Sequence, residues 1–357
     1  MTTDQRSPPE RVVPARVRVP PYGSVVPCGT DGRVLGLDPE TALAVEHLPP
    51  GLAAMLDELV EPVAADALMA RAAERGAALD AAEQLLDDLV RVGAVIDAAV
   101  VERRDRHRAE SIVVVSGDGP LTVGVVLGLV RAGVGAVYTE VAGVVSAAEL
   151  GTGHVDADRG RDRAVAIRDA VRRLQPEADA PAAPARLTCD LVVLADAAAP
   201  DPVQVVRLHA RGSAHLPVRM RDGIGVIGPL VLPGRTACLG CLELTRAAHA
   251  PDWPSIAAQL TGRSGRADPA ATAATAALGV AQALAALDAT AGGGGRPPTW
   301  ETSLELDATA GTILQRSWHP HPGCWCGAGE VSSTASGGVR HEPATSERTG
   351  EGETIME

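Results

Sequence analysis

Apolar and polar positions along this chain follow two different plans, one on either side of a charged stretch near residue 105. Over residues 16–97 a short alternating pattern gives way to a helical one. Arg16-Val-Arg-Val, Ser24-Val-Val and Gly32-Arg-Val-Leu-Gly-Leu set apolar side chains at period two around Gly and Asp turns, as short strands do. Helical stretches follow over 50–60, 64–74 and 80–92. In the last, Ala82, Leu85, Leu86, Leu89 and Val90 recur at the 3.6-residue spacing of a single buried face. Gly93-Ala-Val-Ile then closes the unit with a strand. Strands, three short helices and a last strand predict a winged helix-turn-helix over 16–98. Residues 99–110, with Glu102-Arg-Arg-Asp-Arg-His-Arg, read as a linker, and residues 1–15 and 330–357 as unstructured tails.

From 111 to 329 the pattern becomes that of an α/β domain. Ser111-Ile-Val-Val-Val is a short apolar strand that runs into Gly117-Asp-Gly119-Pro-Leu-Thr. A helix over 123–131 and the strand Ala136-Val-Tyr-Thr-Glu140 complete a βαβ unit of the parallel-sheet kind. A helix over 161–174 and a buried strand over 190–195 follow. Strands are predicted at Leu216-Pro-Val-Arg-Met and Ile224-Gly-Val-Ile-Gly-Pro-Leu-Val. Residues 270–287 read as an Ala-rich buried helix. Thr302-Ser-Leu-Glu-Leu and Gly311-Thr-Ile-Leu-Gln-Arg form a hairpin leading into His319-Pro-His-Pro-Gly-Cys324.

The cysteines change the picture most. Cys238-Leu-Gly-Cys241 and Cys324-Trp-Cys326 are separated by 82 residues, and two close pairs of thiolates supply the four ligands of a closed tetrahedral zinc site. A local zinc ribbon closes within ~20 residues, so a metal here staples remote parts of one fold. His319 and His321 lie near as fallback ligands or loop residues. Cys28 and Cys189 stand alone and read as small core residues. No apolar run follows Met1, so no secretory signal is expected. Six cysteines without one point to the reducing cytoplasm.

Charge removes other classes. The net charge of −13 argues against a nucleic-acid partner, since phosphates need a basic face. The longest uncharged stretch, 269–287, is mostly Ala and Thr, which argues against a membrane span. Phe is absent, so Ala, Val and Leu carry most of the packing. Lysine is absent too, so arginines and protonated histidines are the only side-chain cations.

Together, the βαβ start at Gly117 and Gly119, the Ala132-Gly-Val-Gly135 turn, the Asp190 strand, the Gly-Pro-Leu-Val frame before Cys238 and the late cysteine pair resemble the ThiF fold of the ubiquitin-activating-enzyme-like superfamily. The stretch from His215 to Leu244, with Asp252-Trp-Pro after it, is similar to actinobacterial ThiF-like proteins of thiazole/oxazole-modified peptide pathways. The resemblance covers about Arg16 to Gly329. It implies a winged-helix leader-recognition domain on a Rossmann-type mixed sheet with structural zinc at Cys238, Cys241, Cys324 and Cys326. It also implies a precursor leader peptide and a YcaO-type cyclodehydratase as partners. Such relatives commonly dimerise, so a homodimer is among the expected partners.

Departures from the family pattern bear on catalysis. Gly117 and Gly119 form a phosphate-loop remnant, and Glu140 stands where a ribose ligand belongs. However, Thr122 occupies the third glycine position. The adenylation segment reads Val144-Val-Ser-Ala-Ala-Glu-Leu, without its arginine, and no lysine exists to meet ATP phosphates. Arg159, Arg161 and Arg163 lie downstream as substitutes of unknown reach. The expectation is a non-catalytic protein that presents a leader peptide, with an ATP-dependent adenylating enzyme as the alternative. The third helix of the amino-terminal unit carries Asp80, Glu83, Asp87 and Asp88 against Arg91, which repels DNA. An edge strand and a neighbouring helix suit an extended peptide better, with Val34, Leu35, Leu86 and Val90 as candidate groove residues.

Overall fold

The computed structural model describes residues 13–290 and 295–328. The tail over 330–357 and most of that over 1–15 lie outside these residues. The amino-terminal unit contains two small antiparallel sheets and three helices. Strands β1 (Arg16–Arg18), β2 (Val25–Cys28), β3 (Gly32–Leu35) and β4 (Leu43–Val45) lead into helix α1 (Pro50–Asp57) and a 3-10 turn over 58–60. Strand β5 (Val63–Ala64), helices α2 (Ala65–Glu74) and α3 (Leu79–Arg91), and strand β6 (Ile96–Asp97) complete the unit. The sheets run β5-β1-β6 and β2-β3-β4. Met55, Leu56, Leu59, Leu68, Leu86 and Leu89 fill a core of their own between helices and strands.

Residues 99–110, expected as a linker, lie within helix α4 (Ala98–Glu110). The Asp97 carboxylate caps its start by accepting from the Ala99 amide at 2.9 Å. Arg108 fixes its other end through a two-pronged ion pair with Asp288, with Nε–Oδ1 at 2.7 Å. Glu102 also reaches back to Arg16. The charges that suggested a linker are therefore anchors for a helix.

The larger unit is a seven-stranded mixed sheet ordered β13-β12-β11-β10-β9-β7-β8. In chain order the elements are β7 (Ile112–Ser116), α5 (Pro120–Arg131), β8 (Ala136–Glu140), α6 (Arg163–Leu174), β9 (Leu191–Ala195), α7 (Pro202–Ala210), β10 (His215–Arg221) and β11 (Ile224–Ile227). Helices α8 (Leu239–His249), α9 (Trp253–Leu260) and α10 (Pro269–Thr290) follow, then the hairpin β12 (Thr302–Asp307) and β13 (Thr312–Ser317). Strands β8, β7, β9 and β10 are parallel, and each later neighbour is antiparallel.

Strand alternation builds the two layers. Val113, Val115, Leu191, Val193, Leu216, Val218 and Met220 face α5, α6 and α10 on one side. Val114, Val192 and Leu194 face α7, α8 and the cysteine region on the other. Helix α10 is long and apolar enough to cross a bilayer, but it packs in the core against α5, β10 and β11. Helices α7, α8 and α9 have no counterpart in the periodicity reading. Both α7 and α9 are short and carry a Pro at their first or second position, and α8 begins inside the metal knuckle.

Candidate metal centre and ligand clefts

Cys238 sits at the start of α8 and Cys241 in its first turn, while Cys324 and Cys326 come from the turn after β13. The sulfurs lie 3.8 Å apart for Cys238–Cys241, 3.5 Å for Cys238–Cys324 and 3.5 Å for Cys241–Cys326. All four fall within 4.8 Å of one another. A tetrahedron of Zn–S bonds near 2.3 Å has S–S edges of about 3.8 Å, so this set fits a four-thiolate metal site and is too open for a disulfide. Three of the four cysteines are buried. Hydrogen bonding within the cluster holds the Cys241 thiol below the ordinary thiol range and pushes its partner Cys238 up. Leu239, Leu242, Trp318 and Ala328 pack around the cluster, so a bound ion would tie α8 to the end of the hairpin. His321 is not in the cluster; its carbonyl accepts from the Cys324 amide at 2.9 Å. Cys189 packs partly against this layer, whereas Cys28 is exposed on β2 rather than in a core, because that strand is open on most of its length.

At the carboxyl ends of β7, β8 and β9 a cavity of about 310 Å³ is lined by Gly117, Glu140, Asp196, Gln204 and Arg207. Gly117 and Gly119 serve close approach. A Cβ on Gly117 would meet the Ala195 carbonyl oxygen at 2.4 Å, and one on Gly119 would meet Asp196 Oδ1 at 2.6 Å. Asp196 takes a left-handed conformation (φ 72°) that turns its carboxylate onto the start of α5. There it accepts from the Leu121 amide at 2.9 Å, the Thr122 amide at 3.1 Å and the Thr122 hydroxyl at 2.7 Å. Burial pushes the Asp196 carboxyl up, and these three donors oppose that. The helix terminus where a phosphate would bind thus holds the protein's own carboxylate. Thr122, at the third glycine position, belongs to this arrangement. Glu140 pairs with Arg207 at 3.2 Å.

Of Arg161 and Arg163, Arg163 is the one that reaches the loop. Its Nη1 is 3.4 Å from Asp118, but its Nε and Nη2 are taken by Glu149 at 2.9 and 3.0 Å. Arg161 turns away to Asp158 and Asp169.

A second cavity of about 2020 Å³ opens beside the glycine loop, between β10, the region of α8 and α9, and the segment after β13. Arg219, Arg221, Arg246 and Arg316 contribute to its wall, with Trp253, Trp318, His319 and His321. None of these arginines stands out as a site from the sequence alone. The signal was the repeated cation in Val-Arg-Met-Arg on a predicted strand.

The candidate groove residues of the amino-terminal unit divide by burial. Leu35 and Leu86 are core residues, at 3% and 0% exposure, because they sit on the inward faces of β3 and α3. Val34 and Val90 are half-buried. On α3, Arg91 pairs with both Asp87 and Asp88, which leaves the helix face without an excess of cations.

No protein-family model matches the chain, and no curated protein matches it. Solved structures do. E. coli MccB with ATP superposes at a TM-score of 0.65, with 13% identity, covering 87% of this chain and 99% of that one. The microcin C7 biosynthetic enzyme MccB in complex with N-formylated MccA gives 0.64 at 13% identity, over 87% and 99% of the two chains. PaaA gives 0.57 at 12% identity, over 84% and 99%. The chain therefore has the ThiF-like fold shared with MccB, as its glycine-loop and cysteine motifs implied.

Proposed function

We propose that this protein is an accessory component of ribosomal-peptide natural product biosynthesis, of the azole/azoline bacteriocin type. Its amino-terminal unit, read as a winged helix, binds a precursor leader peptide and presents it to a YcaO-type cyclodehydratase. The four cysteines hold a structural zinc ion, which suits the reducing cytoplasm. One observation carries the non-catalytic part of this reading: Asp196 fills the start of α5, while Glu140 and Arg163 are committed to ion pairs within the protein. Support for a peptide partner comes from MccB, of the same fold, which was solved in complex with the peptide MccA. Val34 and Val90, with the exposed edge strand β2, are the candidate contacts for the leader.

A second reading, an ATP-dependent adenylating enzyme, is favoured by the structure of MccB with ATP and by Arg163 beside the glycine loop. Two measurements separate the readings. Titration with a labelled cognate leader is expected to show binding that a scrambled peptide lacks; equal binding of the two sinks the first reading. Peptide-dependent pyrophosphate exchange by the zinc-loaded protein would establish the second, and no exchange is expected.

A further inference from the structure

Between β8 and α6 the chain makes a closed loop around a buried histidine. Its ends are clipped together by backbone bonds. The Val145 amide donates to the Arg161 carbonyl at 2.9 Å, and the Gly160 amide to the Val145 carbonyl at 2.9 Å. The Arg163 amide donates to the Gly143 carbonyl at 3.0 Å. Gly143 and Gly160 take left-handed conformations (φ 74° and 77°), so the chain turns sharply at both ends. Ser146, Ala147 and Ala148 contribute to the wall of the large cavity. The Thr152 hydroxyl donates to the Pro120 carbonyl at 2.7 Å. A Cβ on Gly153 would meet Leu127 and Val123 at 2.7 and 2.8 Å, so the loop sits close against α5. Inside it lie Glu149, His154 and Asp158, none more than 3% exposed.

The charges around His154 are matched without it. Glu149 accepts from Arg163 at 2.9 and 3.0 Å and from the Ser146 amide at 2.9 Å. Asp158 accepts from the Val155 amide at 3.0 Å, from Arg161 at 2.9 Å and from Arg173 at 2.8 Å. Arg161 also reaches Asp169, and Arg163 reaches Asp118. Asp156 and Arg159 are exposed, and Asp162 caps α6 at the Val165 amide. The α5 residues against the loop, Val123 and Leu127, are apolar, and Asp268, ahead of α10, holds the Ala270 and Ala271 amides. His154 Nδ1 lies 3.6 Å from Asp158 Oδ2, and neither ring nitrogen makes a hydrogen bond among the described residues. A neutral imidazole fits this enclosure. An imidazolium would compete with three guanidiniums for two carboxylates, away from water. Burial accordingly pulls the His154 imidazole below its ordinary 6.5, against the pull of Asp158 and Glu149. We propose that His154 is a proton-operated catch: its neutral form holds the 145–160 loop closed on α5, and protonation releases the loop and with it part of the wall of the large cavity. Its action requires neither a leader peptide nor a nucleotide.

Because the folded value is depressed, the closed loop has this stability in full above about 6.5 and loses it as pH falls below that. The test is hydrogen–deuterium exchange, read by mass spectrometry, on the full-length zinc-loaded protein at pH 7.5 and 5.5. Rates are corrected for the intrinsic effect of pH on amide exchange. Protection of peptides within 144–160 is expected to fall between about two-fold and ten-fold; the upper bound is what one proton on a group with the ordinary value can supply one unit below it. Helix α10 should keep its protection. His154→Leu, which cannot take up a proton, is expected to show the same loop protection at both pH values. His154→Gln, neutral and polar, should do likewise and takes over if the leucine variant does not fold. A wild-type change under about two-fold, or a fall of equal size in the neutral variant, overturns the catch. So does a fall shared by α10, which would be global acid unfolding rather than release of the loop.

Discussion

Glu305 is the carboxylate that lets two guanidiniums share one wall of the large cleft, and Glu305→Gln measures what it contributes. The residue lies on β12 with its side chain 7% exposed. Burial by itself would raise its carboxyl, but the hydrogen bonds from Arg316 and Arg221 outweigh that and hold it at about 2, against an ordinary 4.5. A gap of that size corresponds to at most about 3 kcal/mol of folding free energy. Both arginines are about half exposed, at 43% and 56%, so screening reduces the expected value to about 1–2 kcal/mol. Because the folded carboxyl is depressed, this contribution is fully present above the unfolded value near 4.5 and disappears as pH falls from there through about 2. Urea unfolding of wild type and Glu305→Gln at pH 7, 5, 4 and 3 should show a gap of about 1–2 kcal/mol at pH 7 and 5 that narrows by pH 3. A gap that is absent at pH 7, or unchanged at pH 3, would refute the assignment of the stabilisation to this ionised carboxylate.

Two further perturbations test other parts of the fold. One zinc ion per chain is expected by elemental analysis, and chelation or Cys241→Ser should release it and lower the melting temperature by about 10 °C or more. Metal-free protein with an unchanged melting curve would contradict a structural ion. Gly119→Ala places a Cβ 2.6 Å from Asp196 Oδ1 and 3.0 Å from Ser264 Oγ. Displacing that carboxylate from the start of α5 should cost about 1–3 kcal/mol in chemical denaturation and leave leader affinity intact; a loss of leader binding with normal stability would move the peptide site to this loop.

What could be read in advance depended on whether a residue's role is local. Strands β7 and β9 are near-continuous apolar runs because both faces are covered, and that signature survives without any knowledge of the fold. The cysteine pairs were equally plain, since two thiols within three residues already define a ligand edge. Helix α8 was hidden by the same motif: Cys238-Leu-Gly-Cys241 is both a metal knuckle and a helix start, and only the fold shows Leu239 and Leu242 buried behind it. Leu86 and Val90 illustrate the limit of periodicity. They share a helix face, yet one is sealed in the core and the other half-buried, which depends on how closely the strands approach α3.

The residues that matter most to the clefts were legible least, for a common reason. Asp196 is the first polar residue after a strand, and its role appears only when a left-handed turn brings it 75 residues back in the chain to the Leu121 amide. Arg219 is harder still. Its neighbours Arg221, Arg246 and Arg316 each find a carboxylate in the fold, and Glu243 and Glu305 are used up in doing so. A buried charge left without a carboxylate partner cannot be seen from any local pattern, because it is a property of the complete set of contacts. Such a remainder also separates the two clefts. In the smaller one the fold supplies its own carboxylate to the helix terminus, which satisfies the site internally. In the larger one the buried Arg219 guanidinium stays charged with no hydrogen-bonded or ion-paired carboxylate among the described residues, and the Trp253 and Trp318 rings lie against Arg246 beside it.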